Sequence, residues 1–286
     1  MEEQTLFKFV CVKDAERLIS IRQDVQELFK ECFKKQLSTP LWEHLYLNCP
    51  YGNAIVFLAY NDSELIGHCG IIPQVLIDHK GNEIVYYLQT ALMIDQRYRT
   101  LKPFNDLMGM IHSHIKKNNT FVIAFPNDQS FKPFVMMLRW RFITEYSINQ
   151  YCISDHPDKS LEKEEGVRSD FLYSQRLDEK FIKWRGEING LKDLALENGR
   201  IFYKESEGAL ELLDVVGDGF SYKDILTTLG YEKVNIPQCF LGKGTIKGLG
   251  YVQTVGIPQR FCAYPEKTTL LDYNDIKPSL MLSDVF

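Results

Sequence analysis

The stretch MIDQRYRTLKPFNDLM (93–108) decides the fold, because it predicts a strand, a basic loop and a helix in direct succession. The apolar run that precedes it predicts a strand ending at Asp95. Arg97 and Arg99 follow, and Pro103 opens a predicted helix at a position where the missing N–H of proline costs nothing. A helix N-terminus behind a basic loop is typical of sites that bind a diphosphate. Such loops usually contain glycine, which lets the main chain approach phosphate closely, and this loop has none.

Bulk properties indicate a globular chain with room for two cores. The chain has 286 residues, of which 45% are hydrophobic and 25% charged, with a formal net charge of -5 and a pI of about 5.8. This balance argues against a nucleic-acid partner. The sequence contains no run of about 18 apolar residues and no signal-peptide pattern, so we expect no membrane span. Its seven isolated cysteines are typical of reduced thiols in the cytoplasm, which is the predicted location.

Hydrophobic spacing in the first half predicts helices followed by an antiparallel meander. Residues 12–35 carry apolar positions at helical spacing and predict two helices. Three apolar runs separated by polar turns then predict strands over 54–60, 65–77 and 84–94. After the basic loop, the pattern predicts a helix over 103–117, a strand over 121–125, a helix over 129–138 and a strand over 141–153.

The polar segment 155–170 is rich in charge and contains proline and glycine, which is typical of a linker. Beyond it, the pattern predicts a helix over 177–188, two strands within 200–217 and a helix over 221–230. This order weakly repeats that of the first half and suggests a duplication.

Several short motifs resemble those of the GCN5-related N-acetyltransferase (GNAT) family. A tandem subgroup from bacterial surface-polysaccharide gene clusters is the more closely similar. Its members show P-x-Y-R-G-K-G-x-F, then P-N-x-x-S, L-G-W and a terminal S-D-V-F. The matching stretches here are QRYRTLKPF (96–104), PNDQS (126–130), LRW (138–140), FIKWR (181–185) at the start of the second half, and SDVF (283–286).

The resemblance implies an α+β fold with two GNAT-like domains in tandem, the second degenerate. Each domain would be a mixed, mostly antiparallel twisted sheet flanked by helices. The predicted boundaries are 1–154 for the domain with the acyl-CoA site, 155–176 for a linker and 177–286 for the second domain.

The resemblance also implies acetyl-CoA, or another acyl-CoA, as cofactor. Main-chain groups at the end of the long strand would hold the thioester, and the basic loop would hold the pyrophosphate. Thr100 and Lys102 in the loop, and Arg139 before Trp140, stand where the family has glycine. The side chains of Thr100 and Lys102 narrow the approach of phosphate to the loop. The predicted cofactor-binding residues are Leu92, Met93, Ile94, Arg97, Arg99, Thr100, Leu101, Lys102, Phe104, Asn127 and Ser130.

Acyl transfer to an amine needs a base for the amine and an acid for the leaving thiolate. His68, Asp95 and Gln89, the last acting through a water, are the candidate catalytic residues, and Glu64 is a further candidate for the base. His68 equally suits a packed strand position, and Asn127 equally suits a helix cap. The tyrosine that many family members use as the acid is absent, because Phe131 and Phe134 occupy that helix.

The leading hypothesis is an acyl-CoA-dependent N-acyltransferase whose acceptor is a small-molecule amine, such as an amino sugar or a sugar nucleotide. The alternative is a catalytically inactive GNAT-like module for binding or scaffolding, with a decayed CoA loop. A transferase that uses aminoacyl-tRNA is a third possibility, and the acidic pI counts against it. No metal is expected, because the histidines and cysteines lack ligand spacing. A homodimer is compatible with the sequence.

Overall fold

The computed structural model describes residues 7–154 and 171–281. Residues 7–154 contain four α-helices and six strands. They are β1 (Phe7–Val12), α1 (Ala15–Phe33), α2 (Thr39–Tyr46), β2 (Ile55–Asn61), β3 (Glu64–Asp78), β4 (Glu83–Ile94), α3 (Leu101–Lys117), β5 (Val122–Ala124), α4 (Asp128–Lys132) and β6 (Arg141–Ile153).

The described part of the second half contains two helices and eight strands. They are β7 (Tyr173–Gln175), α5 (Glu179–Asn189), β8 (Lys192–Leu196), β9 (Gly199–Ser206), β10 (Ala209–Gly217), β11 (Phe220–Ser221), α6 (Tyr222–Leu229), β12 (Lys233–Pro237), β13 (Gly244–Thr245) and β14 (Leu249–Tyr264).

Local sequence signals explain where several helices begin and end. Asp14 accepts a hydrogen bond from the N–H of Arg17 and so caps α1, while Asp178 caps α5 in the same way. Gly230 ends α6 in the left-handed conformation, which glycine adopts without strain. These ends are set by the chain itself and require no tertiary contact.

Twelve strands of the described residues form one mixed sheet that runs through both halves of the chain. The order is β1-β2-β3-β4-β5-β14-β6-β12-β10-β9-β8, and β7 pairs with β3. Strand β14, from the end of the described chain, lies between β5 and β6 and pairs antiparallel with both. The sheet of the first half is therefore completed by a strand from the second half.

Helices cover both faces of the first half of this sheet. On one face, α1 and α2 pack through Leu18, Leu28 and Trp42 into a core that also includes residues of α5. On the other face, α3 packs through Leu107 and Ile111. No helix among the described residues is long and apolar enough to cross a membrane.

The α+β prediction is confirmed, but two predicted helices differ from those observed. Within residues 12–35 there is one helix, α1 (Ala15–Phe33), rather than two. The helix predicted over 129–138 ends at Lys132, and a π-helical turn, Pro133–Met137, continues from it. Proline at 133 has no N–H to continue an α-helical ladder, which explains the change of geometry there.

The predicted domain division stays a prediction. Most of the predicted linker, and the SDVF motif at 283–286, lie outside the described residues. At its described end, the predicted linker contains β7, which pairs with β3 through Leu76 and Gln175.

Candidate active site

A cleft opens where β4 and β5 diverge. The two strands are parallel partners only at Tyr87–Val122 and Leu88–Ile123. From Gln89 to Ile94, the edge of β4 that faces β5 has no partner strand within the described chain. The cleft has a volume of about 1000 Å³, at the upper end of the range for ligand sites.

A bulge in β4 shapes the wall of this cleft. His68 pairs with Met93 and Gly70 pairs with Thr90, so two residues, Ala91 and Leu92, lie opposite the single Cys69. Ala91 has a φ of 47°, in the left-handed region that an L-residue rarely adopts. Bulges of this kind re-aim the strand and are common beside functional sites.

His68 lies directly behind the bulge. Its Nδ1 lies 2.7 Å from the carbonyl oxygen of Ala91, and a carbonyl only accepts, so Nδ1 carries the proton. The ring is completely buried, and burial lowers the pKa of His68 to about 4. The imidazole is therefore neutral at pH 7, and its Nε2 is an unprotonated hydrogen-bond acceptor. This placement favours a role in holding the bulge over direct proton transfer in the cleft.

Several polar atoms beside His68 are buried without a hydrogen-bond partner among the described residues. The indole N–H of Trp42, the hydroxyl of Tyr46 and the hydroxyl of Thr90 belong to this group, as does the Nε2 of His68. The Trp42 and Tyr46 rings stack at 3.8 Å, and the Tyr46 ring lies 5.8 Å from that of His68. The Oε1 of Gln89 is also unpartnered, and Gln89 and Thr90 both line the cleft.

The pairing with β3 shows which main-chain groups of β4 face the cleft. The N–H of Asp95 donates to the carbonyl of Ile66 on β3. Because direction alternates along a strand, Met93 also faces β3, whereas Leu92 and Ile94 face the open edge. Arg99 confirms this direction for Ile94, since its Nε donates to the Ile94 carbonyl at 3.0 Å. Of the three main-chain candidates, Leu92 and Ile94 are thus directed toward the cleft.

The N-terminus of α3 forms another side of the cleft. Thr100 has extended geometry, with a φ of -108°, and gives the helix no side-chain cap in the structure as described. The N–H groups of Leu101 and Lys102 in the first turn thus have no intrahelical partner, and the helix dipole adds positive potential there. Thr100, Leu101 and Phe104 all line the cleft. The end of α3 can therefore receive an anion.

Glycine is not needed at 102 to clear this space. The Nζ of Lys102 lies 2.7 Å from Asp106, one turn along the exposed face of α3. Lys102 is not among the described residues that line the cleft. The predicted obstruction by its side chain is absent, and only main-chain groups of Lys102 remain candidates for binding.

The two arginines of the basic loop have different surroundings. Arg97 pairs with Glu64 at 2.5 Å and with Asp95 at 2.6 Å, so its charge is already compensated. Arg99 lines the cleft, and none of the described carboxylates lies within ion-pair distance of it. Among the described residues that line the cleft, Arg99 is thus the cation available to a ligand.

Asp95 is engaged with Arg97. It accepts from the Arg97 N–H at 2.8 Å and from its guanidinium, and the latter bond holds the pKa of Asp95 below its ordinary value. Its side chain is buried and does not line the cleft in the part of the chain described. This carboxylate is a poor proton acceptor, because it is both paired and more acidic than usual.

Asn127 and Ser130 lie at the start of α4, on the β5 side of the cleft, and both line it. The Asn127 side chain accepts from the N–H groups of Gln129 and Ser130, at 3.1 and 3.0 Å. The Ser130 hydroxyl in turn donates to Asn127. Asn127 is therefore the helix cap that the sequence predicts as its simplest role.

The described lining of the cleft offers few groups that can transfer a proton. It contains no tyrosine, histidine or glutamate. Burial raises the pKa of the Cys32 thiol, which is therefore protonated at pH 7. Asp128 is paired with Arg260 at 2.5 Å. Phe134 lines the cleft on the segment where many family members have a catalytic tyrosine. Phe131 is not among the described lining residues, and its ring centre lies 4.7 Å from the Arg260 guanidinium.

Several lining residues were not predicted from the sequence. Cys32 and Phe33 come from the end of α1, Met137 from the turn after α4, and Ile257 from β14. Ile257 is the most distant in the sequence, and no local pattern marks it. Only the insertion of β14 beside β5 brings it to the cleft. In the described parts of the chain, no group of acidic, histidine and cysteine side chains is placed to hold a metal.

Comparisons with known proteins give matches at the level of structure. No family model matches the sequence, and no curated protein does. A conserved protein of unknown function from Enterococcus faecalis, described as a probable N-acyltransferase, has a TM-score of 0.62 at 12% identity. The match covers 90% of this chain and 72% of that one.

Two further solved structures are GCN5-related N-acetyltransferases. The protein from Kribbella flavida has a TM-score of 0.59 at 12% identity and covers 90% of this chain and 71% of its own. The protein from Anabaena variabilis has a TM-score of 0.58 at 11% identity, with coverage of 90% and 72%. The chain therefore has the fold of the GCN5-related N-acetyltransferases, as the sequence resemblance predicts.

Proposed function

We propose that this protein is an acyl-CoA-dependent N-acyltransferase that binds acetyl-CoA between β4 and β5. The observation that carries the proposal is the convergence of three features on one cleft. These are the unpaired edge of β4, the uncapped N-terminus of α3 and the uncompensated charge of Arg99. The fold likeness to N-acetyltransferases supports this choice over other anionic ligands.

In this proposal, the pyrophosphate of CoA lies at the start of α3. The N–H groups of Leu101 and Lys102 donate to it, and Arg99 supplies positive charge. The pantetheine arm then follows the open edge of β4, where main-chain groups of Leu92 and Ile94 are directed outward. Asn127 and Ser130 face the arm from the opposite wall of the cleft. Phe104, a residue of α3, lines the cleft beside the N-terminus of that helix.

The reaction forms one carbon–nitrogen bond and breaks one carbon–sulfur bond. The unprotonated amine attacks the thioester carbonyl, whose oxygen gains negative charge and accepts from an N–H of Leu92 or Ile94. Collapse of this intermediate expels the CoA thiolate. The amine loses one proton to water held by Gln89, and the thiolate takes one proton from solvent. Solvent suffices as the acid, because a free thiol has a pKa of about 8.5.

His68 acts as a positioning residue in this scheme. Its hydrogen bond to the Ala91 carbonyl holds the bulge that turns Leu92 outward. Asp95 likewise acts through Arg97, by fixing the turn before α3. Gln89 is the predicted catalytic residue that remains in direct reach of a substrate, since it lines the cleft with an unpartnered Oε1.

The scarcity of proton-transfer groups in the cleft favours a second candidate, an acyl-CoA-binding module without turnover. Among the described residues that line the cleft, the only acidic groups are the paired carboxylate of Asp128 and the protonated thiol of Cys32. Such a module would bind CoA with the same residues. Binding alone therefore cannot distinguish the two candidates, whereas turnover can.

The test combines acetyl-CoA binding with release of CoA thiol in the presence of a panel of amines. A functional cleft predicts that acetyl-CoA at about 100 times its Kd raises the unfolding free energy by about 2.7 kcal/mol. An acyltransferase also predicts amine-dependent thiol release that Gln89→Leu slows while leaving that stabilisation in place. Stabilisation without thiol release for any amine would support the binding module. No stabilisation at millimolar acetyl-CoA would exclude both.

A further inference from the structure

The cleft between β4 and β5 has lining residues on both faces of the sheet. Phe104 and Phe134 line it and pack with the core beneath α3. Cys32, Ala91 and Phe125 also line it, but they pack with the core beneath α1 and α2. Because α3 provides the proposed anchor for the pyrophosphate, the acyl donor occupies the side of the cleft next to α3. This leaves the side next to α1 for the acceptor.

The lining on the α1 side is mainly apolar and partly aromatic. We call it the acceptor mouth, defined by Cys32, Phe33, Thr90, Ala91 and Phe125. Phe33 is the last residue of α1, and its ring lies 4.7 Å from that of the buried Phe29. The Phe33 side chain is nevertheless 39% exposed. Exposed apolar side chains that line a cavity are typical of sites for apolar ligands.

The polar groups of the acceptor mouth offer little to a ligand with hydroxyl groups. The hydroxyl oxygen of Thr90 is buried. The thiol of Cys32 is a weak donor, and it is directed to the carbonyl oxygen of Ile94 at 3.6 Å. A polyhydroxylated ring would therefore lose hydrogen bonds to water here without gaining equivalent ones, which is unfavourable. An apolar acceptor fits this lining better.

The charged groups near the acceptor mouth do not favour an ammonium ion. Asp128 is the only carboxylate among the described residues that line the cleft, and it is already paired. The charges that act on the Cys32 thiol are those of Arg99, Asp95 and Glu31. Neither of these two carboxylates belongs to the described lining, whereas the cation Arg99 does. The mouth therefore suits an amine that enters in its neutral form.

The scarcity of bases in the cleft leads to the same class of amine. An alkyl amine such as that of lysine has a pKa of about 10.4, so it is protonated at pH 7 and needs a base before it can attack. An aromatic amine is unprotonated at pH 7, because its nitrogen lone pair is delocalised into the ring. Once it has attacked the thioester, its nitrogen is acidic enough to lose a proton to water.

We infer that the acceptor is an aromatic amine whose ring packs in the acceptor mouth against Phe33 and Phe125. The nitrogen forms a bond to the acyl carbon as the carbon–sulfur bond breaks. One proton passes from the nitrogen to water, and the CoA thiolate takes one from solvent. This inference rests on the proposed function, since it takes the donor as bound. It departs from the amino sugar that the sequence resemblance leads one to expect.

The test measures thiol release from saturating acetyl-CoA with aniline, cyclohexylamine or glucosamine, between pH 6.5 and pH 8.5. Cyclohexylamine has the same ring size as aniline but is strongly basic, and glucosamine carries hydroxyl groups. At pH 7, kcat/KM for aniline should exceed that for either other amine at least tenfold, and it should change less than twofold with pH. For cyclohexylamine it should rise about tenfold per pH unit, because only the unprotonated form attacks.

A pair of variants on α1 tests the position of the acceptor. Phe33→Ala should raise the KM for aniline about tenfold, because it removes an aromatic wall of the mouth, and leave the KM for acetyl-CoA unchanged. Ile19→Ala is the matched control. Ile19 is an apolar residue of the same helix, 49% exposed, and is not among the described residues that line the cleft. Stabilisation by acetyl-CoA, measured in both variants, shows that each is folded.

A kcat/KM for aniline no higher than for cyclohexylamine or glucosamine at pH 7 would overturn the inference. Equal KM values for aniline in the two variants would also overturn it. In either case, thiol release with some amine would leave the proposed function intact. Loss of stabilisation by acetyl-CoA in the unmodified chain, or no thiol release with any amine, would instead remove the proposed acyltransferase and this inference together.

Discussion

Two regions of this protein share a pair of structural features, a left-handed non-glycine residue and a neutral histidine, but differ in function. At the bulge of β4, Ala91 has a φ of 47° and the buried His68 donates to its carbonyl. At the turn after α4, Arg139 has a φ of 55°, and the neighbouring Trp140 donates its indole N–H to His112 at 3.0 Å. Each region thus combines a left-handed non-glycine residue with a histidine held neutral.

The difference lies in what surrounds each region. The bulge faces the cleft, so its unusual backbone turns main-chain groups toward a ligand. The turn at Arg139 closes on Trp140, which is buried against Phe134, and neither Arg139 nor Trp140 is among the described residues that line the cleft. Backbone strain by itself therefore does not identify a functional site. Access to a cavity decides which strained residue can act on a ligand.

The largest expected effect concerns pH, since both histidines are neutral in the folded state. Burial lowers the pKa of His68 and of His112 to about 4, from an ordinary value of 6.5. Between pH 6.5 and pH 4, each of these histidines is protonated in the unfolded chain and neutral in the folded chain. The free energy of unfolding therefore falls as the pH falls through this range. For His68 alone, the free energy of unfolding should drop by about 2 kcal/mol between pH 7 and pH 5.

Urea denaturation at the two pH values measures this loss. Replacing His68 by Gln should remove its part of the pH dependence and leave that of His112. A stability that is constant from pH 7 to pH 5 would show that neither histidine is kept neutral, and the parallel between the two regions would fail.

The second prediction separates the two arginines beside the bulge. Arg99→Ala should weaken acetyl-CoA binding about thirtyfold, because a hydrogen bond to a charged group contributes about 2 kcal/mol. Arg97→Ala should change the affinity less than threefold, since Arg97 already pairs with Glu64 and Asp95. Calorimetric titration of both variants checks this. An equal loss in the two would mean that the general charge of the loop matters and the position of Arg99 does not.

The third prediction concerns the turn at Arg139. Arg139→Gly should stabilise the protein by about 1 kcal/mol, because glycine adopts a φ of 55° without steric cost. Arg139→Val should destabilise it, since a β-branched side chain tolerates that conformation poorly. Both variants should bind acetyl-CoA as the unmodified chain does. A large change in binding would connect this turn to the cleft and erase the contrast with the bulge.

The smallest expected effect is that of restoring the family glycine in the basic loop. Lys102→Gly should leave acetyl-CoA affinity within twofold, because the lysine side chain already turns away to Asp106. It should lower the free energy of unfolding by about 0.5–1 kcal/mol, the usual penalty for glycine inside a helix. Much tighter binding would show that the side chain does obstruct the loop.

Much of the first half of the fold could be predicted from the sequence. The apolar runs separated by polar turns indicate the meander, and the PNDQS stretch indicates the cap of α4 that Asn127 provides. Both depend on neighbours within a few residues along the chain. The predicted helix over 129–138 was wrong in geometry beyond Lys132, because the pattern of apolar residues does not distinguish a π-turn from an α-helix.

The sequence by itself determined the α+β class, the GNAT-like order of elements and the position of the basic loop before α3. Only the tertiary structure decided that Arg99 faces the cleft while Arg97 is paired, that the Lys102 side chain turns away from the cleft, and that β14 brings Ile257 to it. The physical reason is the distance along the sequence over which the deciding contacts are made. Strands, caps and turns are set by residues a few positions apart, whereas the charge, burial and access of a side chain depend on groups that are distant in sequence and meet only in the folded sheet.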